Sequence, residues 1–179
     1  MSRIEGDETT DAAIEGLRLA LPLLKRSHHI YAFGRYDLSS LPVSEPVELI
    51  WDKGQFSSGD LTSPWGKQHE YIQFFVYNIS KANREAGAGR LAARMRKGSV
   101  LRYPRKNSVA VNLHPTEKPV NLLRELIESS SCLGDTVLDP FVGSGSTLEA
   151  AVREDRRAVG IEIEERYCEI AAKRLDALS

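Results

Sequence analysis

The segment Thr136-Val-Leu-Asp-Pro-Phe-Val-Gly-Ser-Gly-Ser-Thr147 constrains this chain more than any other. A short β-forming run ends at Asp139-Pro140, two glycines follow at Gly143 and Gly145, and a helix-forming stretch opens at Ser146. Glycine lets the backbone turn sharply and approach a ligand closely. The helix that follows offers unpaired N–H groups and the positive end of its dipole. Counting on from Asp139, an acid stands 23 residues later at Glu162, at the expected carboxyl end of the next strand. An acid there can accept hydrogen bonds from both hydroxyls of a ribose. A glycine pair alone is a weak signal, but turn, helix and spaced acid together point to a nucleoside-binding unit.

The rest of the chain fits around such a unit. Its 179 residues predict a single domain, and 41% hydrophobic against 27% charged residues argue against wholesale disorder. No apolar run approaches the roughly 18–20 residues of a membrane helix. The best candidate, Leu17 to Leu24, is broken by Pro22, and Met1 to Glu5 lacks the apolar core of a signal peptide. Two cysteines, Cys132 and Cys168, fit a reducing cytoplasm and are too few for a cysteine zinc site. Periodicity predicts helices over 11–25, 119–129, 146–153 and 166–178, and strands over 28–33, 47–51, 71–77, 136–139 and 158–163. Leu122, Leu123, Leu126 and Ile127 form the expected buried stripe of the second helix. Strands alternating with helices imply an α/β chain with a mostly parallel sheet.

Charge is unevenly spread. Between Lys81 and Lys106 stand nine basic residues and one acid, Glu85, so this stretch carries +8 in a chain whose net charge is −1. Arg90, Arg94, Arg96, Lys97, Arg102, Arg105 and Lys106 are its candidate phosphate contacts, with glycines and Pro104 interrupting any long helix. A solvated linker is the alternative reading of the same charge.

Which nucleoside the glycine turn would take follows partly by exclusion. A dinucleotide fingerprint requires a third Gly or Ala where this chain has Leu148, which argues against a nicotinamide-dependent oxidoreductase. A Lys-Ser or Lys-Thr phosphate grip is also absent from the turn, and Asp139 at the strand's end suits a cationic ligand better than a pyrophosphate. S-adenosylmethionine, with a ribose, an ammonium and a sulfonium, fits.

The motifs His114-Pro-Thr-Glu-Lys-Pro-Val120, Asp139-Pro-Phe-Val-Gly-Ser-Gly-Ser-Thr147, Gly160-Ile-Glu162 and Tyr167 closely resemble those of DNA methyltransferases of the N6-adenine/N4-cytosine family. Their order is similar to the permuted branch, in which the catalytic half precedes the cofactor half. The resemblance implies a doubly wound, Rossmann-like methyltransferase sheet and three regions. These are the end of a catalytic half (1–80), a basic DNA-contacting insert (81–110) and an S-adenosylmethionine-binding half (111–179). It also implies residue roles. Asp139, Phe141, Gly143, Ser144 and Gly145 would line the cofactor, Glu162 would hold its ribose, and Thr116 and Lys118 would close the pocket from the other side. Trp51 and Lys53 fit the family's mid-sheet motif, although a buried aromatic and a surface lysine explain them equally. His69 reads as structural, and Glu70 as an acid that could face the site.

Members of the family hold the target amine with Asp, Asn or Ser, then Pro-Pro and an aromatic, after flipping the base from the duplex. No such tetrapeptide occurs here; Ser63-Pro64-Trp65 is one proline short. The catalytic residue is therefore unassigned. The resemblance implies that strands preceding the catalytic motif, including a central one, are absent, which would leave unpaired inner edges or force their neighbours together. The expected activity is methyl transfer from S-adenosylmethionine to double-stranded DNA, with adenine N6 ahead of cytosine N4. The catalytic half would be completed either by sequence upstream of this N-terminally incomplete chain or by a second polypeptide. A non-catalytic remnant that binds cofactor or DNA is the alternative.

Overall fold

In the computed structural model, the described residues are 10–24, 28–54, 62, 64–77, 97–105 and 117–178. They divide between two compact units, 1–49 with 71–90, and 50–70 with 91–179.

The first unit opens with helix α1 (Thr10–Ala20), followed by a 3-10 turn at Leu21–Leu23. The expected helix over 11–25 stops early because Pro22 cannot donate the hydrogen bond that continues an α-helix. Strand β1 (His29–Phe33) pairs antiparallel with β3 (His69–Val76), Ile30 opposite Phe75. Leu21, Ile30, Leu38, Leu41 and Phe75 make a common core, with Ile14 and Leu17 of α1 packed on it. Gln73 is buried and accepts the Tyr36 amide at 2.7 Å, which satisfies its carbonyl.

This pair makes the sheet mixed where the sequence predicted a mostly parallel one. A parallel pair needs a crossover of a dozen or more residues, usually a helix. Among the described residues between β1 and β3 there is none. Among the described residues, the alternation of strand and helix begins after residue 102.

In the second unit, the end of β2 (Val47–Asp52) runs parallel to β4 (Val100–Arg102), Trp51 opposite Leu101, both buried. Within the stretch read as a basic insert, Val100–Arg102 is thus a strand. Helix α2 (Val120–Ser130) starts one residue later than expected because Pro119 is its extended N-cap. Its predicted stripe, Leu122, Leu123, Leu126 and Ile127, is buried throughout. The stripe packs on α3 (Ser146–Arg153), where Ala150 and Ala151, without exposed surface, let the helices approach closely. Buried Arg156 finishes α2 by donating to the Ser131 carbonyl at 2.7 Å and the Ser131 hydroxyl at 3.0 Å.

Strand β5 (Thr136–Asp139) pairs parallel with β6 (Arg157–Gly160), and α4 (Glu165–Asp176) closes the chain's last described element. β6 ends three residues before the expected Ile163. The physical reason is the turn after Asp139: the Phe141 N–H, which would continue the ladder, donates instead to Asp139 Oδ1 at 2.9 Å. The last bonds run from Ile161 N–H to Asp139 O at 2.9 Å and from Val142 N–H to Ile161 O at 3.0 Å. Glu162 therefore stands in the loop after β6, not at the strand's end. Among the described residues β5 has one ladder neighbour, β6.

Candidate functional site

The glycine turn is built by its own backbone. Gly143 and Gly145 both take positive φ, 51° and 85°, which side-chain-bearing residues rarely adopt. The Gly145 N–H donates to Val142 O at 3.0 Å, and Gly145 O accepts the Glu149 N–H at 2.9 Å, so the turn passes directly into α3. Gly160 lets the turn and α3 lie close on the end of β6: a Cβ there would lie 2.8 Å from Val142 Cγ2 and 3.0 Å from Leu148 Cδ1.

Two acids flank the turn. Asp139 is half-buried and accepts the Phe141 N–H at 2.9 Å. Burial pushes its carboxyl above the ordinary range, a hydrogen bond from Thr147 and that from Phe141 oppose this, and the charge of Glu162 adds to the rise. Glu162 Oε2 accepts the Gly143 N–H at 2.9 Å, and Oε1 accepts the Glu164 N–H at 2.9 Å. Each oxygen keeps a second lone pair for a ligand hydroxyl. Phe141 is exposed beside them, whereas Ser144 is buried.

A second group forms at Lys118. Its ammonium lies 3.3 Å from Glu70 Oε2, and that of Lys53 lies 2.7 Å from Glu70 Oε1. Both ammonium groups approach the ring of Trp51, at 5.7 and 5.4 Å from its centre. Trp51 is 1% exposed and donates its indole N–H to Tyr103 O at 2.7 Å. Burial raises the Glu70 carboxyl, but the two lysines outweigh burial and hold it below the usual carboxylate range. Glu70, which the sequence left between a structural and a functional role, thus joins the two lysines read from separate motifs.

The predicted DNA contacts meet the structure unevenly. Arg90, Arg94, Arg96 and Lys106, like Thr116 of the cofactor set, lie outside the described residues. Lys97 is engaged by acids of α2, 2.9 Å from Glu128 and 3.7 Å from Glu125. Arg102 lies 3.8 Å from Asp52 and is largely exposed, as is Arg105. Sequence reasoning missed Glu117 and Arg174, which are paired beneath the glycine turn. The sequence signal was slight: Glu117 lies inside the His114–Val120 motif, and Arg174 stands two helical turns after Tyr167. Among the described residues no group of three acids, histidines or cysteines could hold a metal, and no helix is long and apolar enough to cross a membrane.

A strand, a glycine turn with positive-φ bends, a helix and an acid held against the turn define an α/β loop site, and comparison with known proteins gives it a family. The DNA methylase family model matches residues 22–173, and the chain belongs to that N6-adenine/N4-cytosine family. It is 36% identical over 122 residues to the type II methyltransferase M2.DpnII of Streptococcus pneumoniae, covering 68% of this chain and 44% of the relative. It is 42% identical over 84 residues to the DNA adenine methyltransferase YhdJ of Escherichia coli K12, covering 46% of this chain and 29% of the relative. The chain thus spans less than half the length of these curated relatives.

Among solved structures, the M1.HpyAVI–SAM complex superposes with a TM-score of 0.75 at 22% identity, over 95% of this chain and 84% of that one. The S-adenosylmethionine complex of TTHA0409 from Thermus thermophilus gives 0.65 at 21% identity, over 99% and 82%. The fold is the Rossmann-like one of DNA methyltransferases.

Proposed function

We propose that this chain carries the cofactor site of a DNA amino-methyltransferase that takes its methyl from S-adenosylmethionine. The observation that carries this reading is Glu162, fixed by two backbone N–H groups at the lip of the glycine turn. Preorganised in this way, its remaining lone pairs suit the two ribose hydroxyls. Asp139 complements it: a partly buried carboxylate with a raised pKa gains most from a cationic neighbour, which offsets the cost of its burial. Exposed Phe141 offers a flat apolar face to an adenine. The bound cofactor supplies an electrophilic methyl on a sulfonium.

The substrate in this reading is double-stranded DNA, gripped through the basic segment, with adenine N6 ahead of cytosine N4. The name of YhdJ as an adenine methyltransferase supports that preference. No tetrapeptide of the amine-holding type occurs in the 179 residues. In this reading that group comes from other sequence, either upstream in a longer protein or on a second polypeptide. The same observation favours one other reading, a cofactor- or DNA-binding remnant without transfer.

The test is titration calorimetry with S-adenosylmethionine, followed by transfer of labelled methyl to duplex DNA with and without the catalytic region of a relative supplied in trans. Binding together with complemented transfer supports the enzyme reading. Binding without transfer under both conditions supports the remnant, and absence of binding overturns both.

A further inference from the structure

One face of α4 backs the glycine turn. Tyr167, Ala171 and Arg174 recur at helical spacing, and the first two are buried. Ala171 sets how closely the turn can lie, because a Cβ on Gly145 would fall 2.9 Å from Ala171 Cβ. One turn further along, Arg174 reaches past the loop. Its Nη2 donates to Glu117 Oε1 at 2.7 Å and its Nη1 to Ser146 Oγ at 2.8 Å. Its Nε lies 3.4 Å from Glu149 Oε2. The other oxygen of Glu117 accepts the Ser144 hydroxyl at 3.4 Å. The side chains of Arg174 and Glu117 are only 10% and 7% exposed.

This arrangement joins two pieces that lie far apart in the chain. Glu117 immediately precedes Lys118 and the N-cap Pro119, and Ser144 and Ser146 bracket Gly145. A guanidinium presents its donors in a rigid planar fork, so meeting Glu117 and Ser146 together fixes a distance as well as a charge. A surface ion pair would do neither with much force, but a buried one left without its partner is strongly penalised.

We infer that Arg174 is a positioning residue that locks the Glu117–Pro119 segment against the Gly143–Gly145 turn, acting through Glu117. It touches no reacting atom; it sets the spacing between the two walls that the proposed cofactor would occupy. The inference deepens the proposed function and rests on it only for its ligand.

The 179-residue chain and its R174Q, E117Q, R174Q/E117Q and R174K variants test it by two readouts. The first is calorimetric affinity for S-adenosylmethionine, measured well below each variant's Tm. The second is backbone hydrogen exchange without ligand. Arg174→Gln is expected to weaken affinity about tenfold or more, the scale set by small displacements of positioned groups. Glu117→Gln and the double variant should match it without adding to it, and Arg174→Lys should fall between. Exchange should rise together at 117–118 and 142–146 and stay unchanged in β5.

A folded R174Q variant with lowered Tm but unaltered affinity and exchange overturns the inference, leaving Arg174 a stability residue. Losses that add in the double variant overturn the route through Glu117. A wild-type chain that binds no cofactor while R174Q still loosens both segments overturns the proposed function and supports the lock. If R174Q does not fold, R174K and E117Q carry the same comparison.

Discussion

Glu162 and Gly143, 19 residues apart, are joined by a 2.9 Å hydrogen bond from a turn amide to a carboxylate, with the Glu164 amide on the carboxylate's other oxygen. The acid that would bind a ribose therefore also holds the turn's shape. Glu162→Ala leaves both amides without this acceptor, and about 1–3 kcal/mol of stability should be lost, read by urea unfolding. S-adenosylmethionine affinity should fall by a similar amount. Unaltered affinity in the folded variant takes Glu162 out of the site.

How far the sequence carried depended on where the determinants lie in the chain. β5 and α3 have the expected bounds because Pro140, Gly143 and Gly145 are local punctuation that no distant contact overrides. The buried stripe of α2 was likewise legible from spacing alone. β6 was overextended because Ile161 and Ile163 continue an apolar alternation, yet both are exposed and the ladder stops at the turn after Asp139. The Arg174–Glu117 pair was invisible: its partners are 57 residues apart, and nothing in either segment names the other. The antiparallel β1–β3 pairing was missed for the same reason, since register between distant strands is set by tertiary packing.

Asp139 makes stability depend on pH with a definite sign. Its folded pKa is raised above the ordinary value of 3.8, so its proton is bound more tightly in the folded chain. Stability from this group is fully present below that value and is lost as pH rises through the folded pKa. Asp139→Asn, which stays neutral, should therefore raise Tm at pH 7, by about 2–4 °C for each 1 kcal/mol of relieved burial cost. The difference should vanish below the ordinary aspartate value. Cofactor affinity should move the opposite way, because the variant has no charge to offer a cation. A lower Tm at pH 7 in the variant contradicts this account.

Glu70 has the opposite sign. Lys53 and Lys118 hold its folded pKa below the ordinary 4.5, so its contribution is present above that value and is lost as pH falls through the folded pKa. Glu70→Gln should lower stability by about 0.5–1 kcal/mol near neutrality, a figure discounted because the carboxylate is partly exposed. The gap between variant and wild type should stay constant down to about pH 4.5 and close below it. Thermal unfolding across pH 3–8 reads this, and a gap that widens in acid rules the pairing out as its source.

The three glycines outside Gly143 that carry the turn and its surroundings should rank by what a methyl group meets. Gly134→Ala has positive φ but open space, so only the left-handed penalty of about 1–2 kcal/mol applies. Gly160→Ala keeps an ordinary φ but drives a Cβ to 2.8 Å from Val142, an overpacking cost of about 1–3 kcal/mol. Gly145→Ala carries both, with positive φ and a Cβ 3.0 Å from the Ala171 backbone, and should be the most destabilising of the three. It alone should also abolish detectable cofactor binding. Equal costs for Gly145 and Gly134 would mean that α4 can yield.

The basic segment divides into charges already used and charges proposed for DNA. Lys97 neutralises Glu128, whose carboxyl it holds below the ordinary range, so Lys97→Gln should weaken duplex binding less than twofold. Charge reversal at Arg94, Arg96 and Arg105 together should weaken it more than tenfold while leaving S-adenosylmethionine affinity unchanged, because phosphate contacts act independently of the cofactor turn. Each phosphate contact contributes about 0.9 to the slope of log affinity against log salt, so the reversed variant should also show a shallower salt dependence. Fluorescence anisotropy of a labelled duplex across a salt series measures both quantities. An unchanged slope and affinity would assign the segment's charge to solvation, and the DNA contact would have to lie elsewhere.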